Sequence, residues 1–214
     1  MGALSKPEAA EFQYIQTATA WNRTLETFAN WCRPHPQERV LDVGCGPGQL
    51  AALFSKLGCR ATGIDLDRAM FRPAPLNKLV VNGDAMWLPF SLGTFDLVTI
   101  SNLLFYLPHP RAALAEMSRV LAPAGRIGIL NPSPRLNTKA AVAIAEQRKL
   151  DATACASLVN WAERAENNQR WSPEELQQMA AETGLEIITW EYSVGPGFAL
   201  FAMARKAPTW SKPT

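Results

Sequence analysis

The stretch Val40-Leu41-Asp42-Val43-Gly44-Cys45-Gly46-Pro47-Gly48 decides the fold of this chain. Its first half belongs to a largely apolar segment, residues 39–43, that predicts a buried β-strand. The glycines that follow accept positive φ angles and let a backbone approach a ligand closely. Residues 49–57 then predict a helix that ends at Gly58, and a helix start carries free N–H groups. The stretch therefore predicts a strand–turn–helix unit with a glycine-rich loop.

Two acidic residues follow at corresponding points of the next predicted strands. Asp65 comes directly after a strand predicted over residues 59–64, and Asp84 follows the one over residues 79–82. In open parallel sheets, ligands bind where the carboxyl ends of the strands meet, and a carboxylate at Asp65 can accept both hydroxyls of a ribose. A glycine loop alone is equally compatible with a packing role. The two acidic positions favour a nucleotide-type ligand.

Gln49 bears on the kind of nucleotide. A dinucleotide-binding loop has the pattern G-x-G-x-x-G, whose third glycine permits close packing of helix on strand. Counted from Gly44, the sixth position of this loop is Gln49. The loop therefore argues against NAD and against a nicotinamide-dependent reductase.

Strand-like and helix-like segments alternate along the rest of the chain. An amphipathic helix is predicted ahead of the glycine loop, over residues 9–32. Further strands are predicted over residues 95–101, 126–130, 185–192 and 198–205, and helices over residues 110–121, 137–167 and 172–183, the last beginning at a Ser172 capping box. This alternation predicts a doubly wound α/β fold with a mostly parallel sheet.

The composition is that of one globular domain and excludes several other classes. The 214 residues are 48% hydrophobic and 19% charged, with a net charge of +2, whereas nucleic-acid binders are usually more basic. The four cysteines lack CxxC spacing, so we expect reduced thiols in a cytoplasmic protein and no metal site. No apolar run reaches the ~20 residues of a membrane span, and the N-terminus lacks a secretory signal pattern. We therefore expect no membrane association.

Five motifs in this order resemble the class I S-adenosylmethionine-dependent methyltransferases, in particular their type 11-like group. The resemblance covers about residues 39–131, less than half of the chain. Its motifs are LDVGCGPG (41–48), GID (63–65), GDA with LPF (83–85 and 88–90), FDLV (95–98) and RVLAPAG (119–125). These motifs specify cofactor and fold much more than they specify the substrate.

The resemblance implies a Rossmann-like sheet of seven strands in the order 3-2-1-4-5-7-6, with an antiparallel last hairpin. Residues 1–206 would form a single methyltransferase domain, and residues 207–214 a tail. Within the domain we expect an N-terminal helical cap, a cofactor-binding half, a helical lid inserted after strand five, and a final helix with a β-hairpin, over residues 1–36, 37–131, 132–170 and 171–206.

The resemblance also implies S-adenosylmethionine as the cofactor, with S-adenosylhomocysteine as its product. Asp42 would face the methionine amino group, Asp65 would bind the ribose hydroxyls, and Asp84 would accept from the adenine amine. Leu66 and Met86 would enclose the adenine, and Ser101 and Asn102 would face the methionine portion. The full cofactor-binding prediction is Asp42, Gly44, Cys45, Gly46, Gly48, Asp65, Leu66, Asp84, Ala85, Met86, Ser101 and Asn102, without a metal.

Few side chains qualify as catalytic or acceptor-binding groups. Tyr106 and His109 follow strand four: Tyr106 either contacts the acceptor or packs in the core, and His109 either acts as a base or caps the next helix. Tyr14 and Trp21 on the first helix and Trp161 on the insertion are candidates to cover cofactor or acceptor. Packing against the rest of the fold is the alternative for each of these three.

We expect methyl transfer to a small-molecule acceptor by in-line displacement, catalysed mainly by proximity and orientation, in a monomer or homodimer. A lid that excludes water suits a small substrate. Two alternatives stay open. One is a methyltransferase acting on tRNA or protein, although the modest charge argues against a nucleic-acid partner. The other is a non-catalytic protein that binds S-adenosylmethionine.

Overall fold

A computed structural model describes residues 20–70 and 80–208 of the chain. Within these residues, helices flank a single sheet. The strands are β1 (Arg39–Val43), β2 (Arg60–Asp65), β3 (Val80–Asn82), β4 (Phe95–Ser101), β5 (Leu121–Pro132), β6 (Leu185–Ser193) and β7 (Ala199–Lys206). The α-helices are α1 (Ala20–Trp31), α2 (Gln49–Lys56), α3 (Pro110–Val120), α4 (Thr138–Gln147), α5 (Ala152–Glu166) and α6 (Pro173–Ala181). Short 3-10 turns follow β2 and β4 at Arg68–Met70 and Leu104–Tyr106.

The order of the described strands in the sheet is β3-β2-β1-β4-β5-β7-β6. Strands β1 to β5 pair in parallel, and β7 is antiparallel to both of its neighbours, β5 and β6. This order confirms the doubly wound, mostly parallel fold and its antiparallel last hairpin. Strand addition reverses direction between β1 and β4, and ligands bind at such a switch point, beside the carboxyl ends of the strands.

Both faces of the sheet are covered by apolar side chains, as the near-continuous apolar runs of the parallel strands require. On one face, Phe28 of α1 and Phe54 of α2 are fully buried in a cluster with β1 and β4. On the other face, Met117 of α3 and Leu176 of α6 pack against the sheet. Each such side chain contributes about 1.5–3 kcal/mol when fully buried. The core thereby fixes the strand ends that form the site.

The helical insertion consists of two helices, α4 and α5, so the prediction of one long helical stretch over residues 137–167 was wrong. At the end of α4, Lys149 adopts a positive φ of 49°, and the Leu150 N–H donates to the Ala145 carbonyl at 3.0 Å. This geometry ends a helix in the manner of a Schellman motif. The Asp151 carboxylate then accepts from the Ala154 N–H at 2.8 Å and starts α5.

Strand β5 is longer than the predicted residues 126–130. Phe95 pairs with Leu121, but Leu97 already pairs with Arg126, so the chain between Leu121 and Arg126 bulges out of the ladder. Residues 123–125 lie within this bulge, and the strand assignment extends to Leu121 around them. The predicted helix over residues 9–32 is described from Ala20 onward. Its earlier part and residues 209–214 of the tail lie outside the described residues.

None of the helices in the described part of the chain combines the length and the apolar character needed to cross a membrane.

Candidate active site

A cavity of about 770 Å³ lies along the carboxyl ends of the parallel strands. Following the strand order, we call the part lined by residues after β2 and β3 the β2–β3 end, and the part lined by residues after β4 and on α5 the β4–α5 end. The glycine loop after β1 lies between them. The β2–β3 end is lined by residues that include Asp65, Leu66, Asp67, Arg68, Asp84, Ala85 and Met86. The β4–α5 end is lined by Ser101, Asn102, Leu103, Phe105, Tyr106, Leu107, Pro108, Ser157, Asn160, Trp161 and Arg164.

The glycine loop has the conformation that its sequence predicts. Gly44, Gly46 and Gly48 have φ angles of 70°, 53° and 87°, which only glycine adopts without strain. A Cβ on Gly44 would lie 2.3 Å from Cδ2 of Leu103, which no ordinary contact permits. Gly44 and Gly46 line the cavity, whereas Cys45 and Gly48 are not among its described lining residues. Burial raises the pKa of the Cys45 thiol, which therefore stays protonated.

The backbone N–H groups of this loop point at β2. Those of Gly44 and Cys45 donate to the Ile64 carbonyl at 2.8 and 3.1 Å, and that of Gly46 donates to Oδ2 of Asp65 at 2.8 Å. A phosphate-binding loop leaves such groups free for the anion. Because these three are already occupied, the loop suits a ligand without phosphate groups, in agreement with the argument against NAD.

Asp65 joins the loop to the cavity. Its Oδ1 accepts from the Asp67 N–H at 2.9 Å, in addition to the bond from Gly46 to Oδ2. Each carboxylate oxygen has two acceptor sites, so capacity for a ligand hydroxyl remains. Burial raises the pKa of Asp65, and its backbone donors oppose that rise. The side chain is half-buried at the cavity surface.

The segment after β3 completes the β2–β3 end. Oδ1 of Asp84 accepts from the Met86 N–H at 2.8 Å, which fixes the turn that carries the buried Ala85. Leu66 is 66% exposed, as a side chain that closes over a ligand would be in the ligand's absence. The structure thus brings Asp65, Leu66, Asp84, Ala85 and Met86 to one cavity wall, where the sequence analysis had grouped them.

Asp42 is buried, with 2% of its surface exposed, and does not line the cavity among the described residues. Burial raises the pKa of its carboxyl group to about 7. The Thr99 hydroxyl donates to Oδ1 of Asp42 at 3.0 Å and opposes that rise. Any influence of Asp42 on a ligand in the cavity is therefore indirect.

A side-chain hydrogen bond connects helix α1 to the start of α2, directly after the glycine loop. Nε2 of Gln49, the residue that replaces the third glycine of a dinucleotide loop, donates to Oδ1 of Asn22 at 2.7 Å. The neighbouring Trp21 lines the cavity, and its ring meets that of Trp161 edge-to-face with centroids 5.3 Å apart. Trp21 therefore lines the cavity and also packs against Trp161, so covering a ligand and packing the fold are compatible roles for it. Tyr14 lies outside the described residues.

At the end of β4, Asn102 links the sheet to the insertion. It has a positive φ of 51°, and its Oδ1 accepts from Nε1 of Trp161 on α5 at 3.1 Å. Its Nδ2 is buried and has no hydrogen-bond partner among the described residues. A buried donor of this kind requires a partner. Since Asn102 lines the cavity, a ligand acceptor atom would supply it.

The two predicted catalytic residues differ in placement. Tyr106 lines the cavity, and burial raises its pKa, against the opposing effect of the nearby Arg164 guanidinium. His109 is exposed, directly precedes α3 and is not among the described lining residues. It makes no side-chain capping bond to α3. Of the two, only Tyr106 is in a position to contact an acceptor.

Three lining residues of α5 were missed by the sequence analysis: Ser157, Asn160 and Arg164. Together with Trp161 they recur at intervals of three or four residues, the spacing of one helix face. That pattern was readable from the sequence. The sequence does not, however, show which side of the helix lies over the sheet. Among the described residues, no group of His, Cys, Asp and Glu could hold a metal ion.

The strand order and the glycine loop beside Asp65 agree with the Rossmann-like methyltransferase fold that the resemblance implied. In agreement, the solved S-adenosylmethionine-dependent methyltransferase from Thermotoga maritima matches with a TM-score of 0.66 and 18% identity, over 94% of this chain and 97% of that one. At that identity the likeness shows the fold.

Sequence comparison agrees with the resemblance over part of the chain. Residues 41–129 match the model of a methyltransferase domain. The ubiquinone biosynthesis O-methyltransferase of Nitrosococcus oceani is 32% identical over 108 residues, 46% of this chain and 46% of that protein. The ubiquinone/menaquinone biosynthesis C-methyltransferase of Ruegeria sp. is 35% identical over 116 residues, 49% of this chain and 46% of that protein.

The resemblance to the type 11-like group that the sequence motifs predicted is confirmed over residues 41–129, which match this methyltransferase domain. The chain spans about half the length of these relatives.

Proposed function

We propose that this chain transfers a methyl group from S-adenosylmethionine to a small-molecule acceptor by in-line displacement. One observation carries the proposal: a single cavity contains Asp65 and Asp84 at its β2–β3 end and Tyr106 and Trp161 at its β4–α5 end. The first end suits a nucleoside, and the second leaves room for an acceptor beside it. A cavity of this volume falls within the ~300–1,000 Å³ of small-molecule sites.

The chemistry of the lining fits S-adenosylmethionine. Asp65 and Asp84 offer acceptors for ribose hydroxyls and the adenine amine. The unpartnered Nδ2 of Asn102 offers a donor for the methionine portion. The loop N–H groups already donate hydrogen bonds to Ile64 and Asp65, so they do not need a phosphate group as an acceptor. Leu66 and Met86 provide apolar surface for the adenine.

When bound, the cofactor supplies a methyl group already activated on a positively charged sulfur. The contribution of the protein is then mainly alignment. Holding an acceptor atom about 3–3.5 Å from the methyl carbon, in line with the leaving sulfur, contributes several kcal/mol. The rigid end of β4, where the Asn102 N–H donates to the Leu130 carbonyl at 2.8 Å, is the element that sets this alignment.

The described residues of the β4–α5 end offer hydrogen bonds to an acceptor and include no general base. Because its pKa is raised, Tyr106 stays protonated at neutral pH and serves as a donor. The carboxylates among the described lining residues, Asp65, Asp67 and Asp84, lie at the β2–β3 end. The acceptor therefore arrives with its nucleophilic atom already free of the proton.

We propose that residues 132–170 act as a lid over this site, within a single domain spanning residues 1–206. The insertion packs through Leu136 and Ala162 against Phe198 in the turn between β6 and β7, and reaches the sheet edge through Trp161. A cover of this kind excludes water and lets polar contacts act at low dielectric.

Calorimetric titration with S-adenosylhomocysteine tests the cofactor assignment, and turnover of S-adenosylmethionine with a panel of acceptors tests the activity. We expect binding, together with a rise in melting temperature, because a ligand that binds only the native state stabilises it. An unchanged melting temperature at saturating ligand would refute the cofactor assignment. Binding without turnover on any acceptor would leave a non-catalytic binding protein.

A further inference from the structure

The β4–α5 end of the cavity carries a positive charge. Arg164, an exposed residue of α5, lines it and donates from Nε to Oδ1 of Asn160 at 2.7 Å, and its guanidinium lies near the Tyr106 hydroxyl. Within the described residues, none of the ion pairs involves Arg164. A guanidinium has five N–H donors, so donors remain for a ligand.

The carboxylates lining the cavity are found elsewhere. Asp65 and Asp84 belong to the β2–β3 end, where the other basic lining residue, Arg68, donates from Nε to Oδ1 of Asn82 at 3.1 Å. The β4–α5 end thus combines one cation with neutral neighbours. A cation among neutral groups attracts a ligand group of the opposite sign to that end of the cavity.

The surroundings of Arg164 also suit a flat ligand. The α5 face that carries Arg164 presents the Ser157 hydroxyl, the Asn160 amide and the Trp161 indole to the cavity. The Trp161 ring is held on one side by the edge-to-face contact with Trp21 and at its nitrogen by Asn102. Fixed aromatic rings bind other planar groups through offset-stacked or edge-to-face contacts.

We propose that the acceptor is a planar small molecule bearing an oxyanion, a carboxylate or a phenolate, that Arg164 binds at the β4–α5 end. This inference rests on the proposed function, since it names the acceptor class of the same cavity. Arginine binds such oxygens through charge-assisted, often bidentate hydrogen bonds. An ionised acceptor also fits an end that holds no described base, because no proton has to be removed there.

The test uses the full chain saturated with S-adenosylhomocysteine and three probes measured by calorimetry: benzoate, 4-nitrophenolate and the neutral benzamide. We expect at least one anion to bind and benzamide to bind roughly tenfold more weakly or not at all. Arg164→Gln should weaken anion binding roughly tenfold, and Arg164→Lys should retain part of it. Arg148→Gln removes an exposed arginine from the turn before α5 and should leave binding unchanged.

The outcomes separate the two proposals. Preference for benzoate identifies a carboxylate, and preference for 4-nitrophenolate a phenolate. Equal binding of benzamide, unchanged anion affinity in Arg164→Gln, or no anion binding at millimolar concentration overturns the acceptor inference. The comparison of probes on the unmodified chain decides the matter even where Arg164→Gln fails to fold. Failure of S-adenosylhomocysteine itself to bind refutes the proposed function instead.

Discussion

The carboxylate of Asp65 accepts a hydrogen bond from the backbone N–H of Gly46 at 2.8 Å, across the gap between the ends of β2 and β1. One side chain thereby holds the glycine loop and faces the cavity at the same time. The two roles are separable by experiment, because loop support affects stability and ligand contact affects affinity.

Asp65→Ala should weaken S-adenosylhomocysteine binding roughly tenfold to a hundredfold, since a hydrogen bond to a charged acceptor contributes about 1.5–3 kcal/mol. Calorimetry measures the affinity, and urea unfolding shows whether the fold persists. Glu191→Ala, on the exposed edge strand β6, is the control for loss of a carboxylate and should bind normally. Unchanged affinity in Asp65→Ala would mean that this carboxylate does not contact the ribose.

Asp42 makes stability depend on pH in a predictable direction. Its pKa is raised by burial to about 7 in the folded chain, from 3.8 as the ordinary value. Between these values the folded state holds a proton that the unfolded state has lost, so stability falls as pH rises through this window and levels off above it. Asp42→Asn should remove this decrease, which amounts to on the order of 2–4 kcal/mol.

Urea unfolding at about pH 5 and about pH 8 measures the effect. The variant should gain stability relative to the original chain at the higher pH. Asp96→Asn is the contrast, because the Asp96 carboxyl stays ionised at both pH values and this variant should leave the stability difference between them unchanged. The hydrogen bond from Arg39 lowers the pKa of Asp96, so its stabilisation is lost as pH falls. A stability difference between Asp42→Asn and the original chain that does not change with pH would contradict a raised pKa.

Tyr106→Phe should lower kcat/KM for the acceptor about threefold to tenfold, because it removes one hydrogen-bond donor and keeps the ring. Affinity for S-adenosylhomocysteine should not change, since the donor faces the β4–α5 end. The control is Tyr192→Phe. Tyr192 stacks beneath the Arg135 guanidinium at 3.7 Å and lies outside the described lining of the cavity. Equal kcat/KM in both variants would assign Tyr106 to packing alone.

The sheet and the β2–β3 end were predictable from sequence because their signals are local. An apolar run followed by glycines and an acidic residue specifies a strand, a turn and a polar group at the carboxyl edge within a few residues. The strand order required the family resemblance as well. The occupation of the loop N–H groups by Ile64 and Asp65 depends on strand pairing, which no local pattern reveals.

The β4–α5 end was predicted only in part. The hydrogen bond between Asn102 and Trp161 joins residues 59 positions apart, and no sequence pattern around either residue indicates it. Arg164 was not among the predicted site residues, since an arginine on an alanine-rich helix usually lies on the solvated face. The break between α4 and α5 depends on Lys149 adopting a left-handed conformation, which lysine seldom does.

The bond between Trp161 and Asn102 makes the lid testable without removing it. Trp161→Phe keeps most of the ring contact and loses the indole donor, so we expect a stability loss of about 1 kcal/mol. Amide exchange in α5 should become faster, measured by hydrogen exchange with mass spectrometry. Trp190→Phe, on the edge strand β6, is the matched control and should leave α5 exchange unchanged.

In the unaltered chain without ligand, residues 135–168 should exchange faster than strand residues 40–43 and 96–100, because alanine-rich helices bury little area per residue. Exchange should slow when S-adenosylhomocysteine and an acceptor are both bound. Deleting the insertion should abolish transfer while preserving some cofactor binding, because Gly44, Asp65 and Asp84 all lie outside it. A deletion protein that still methylates the acceptor at a normal rate would show that residues 132–170 serve only to pack the fold.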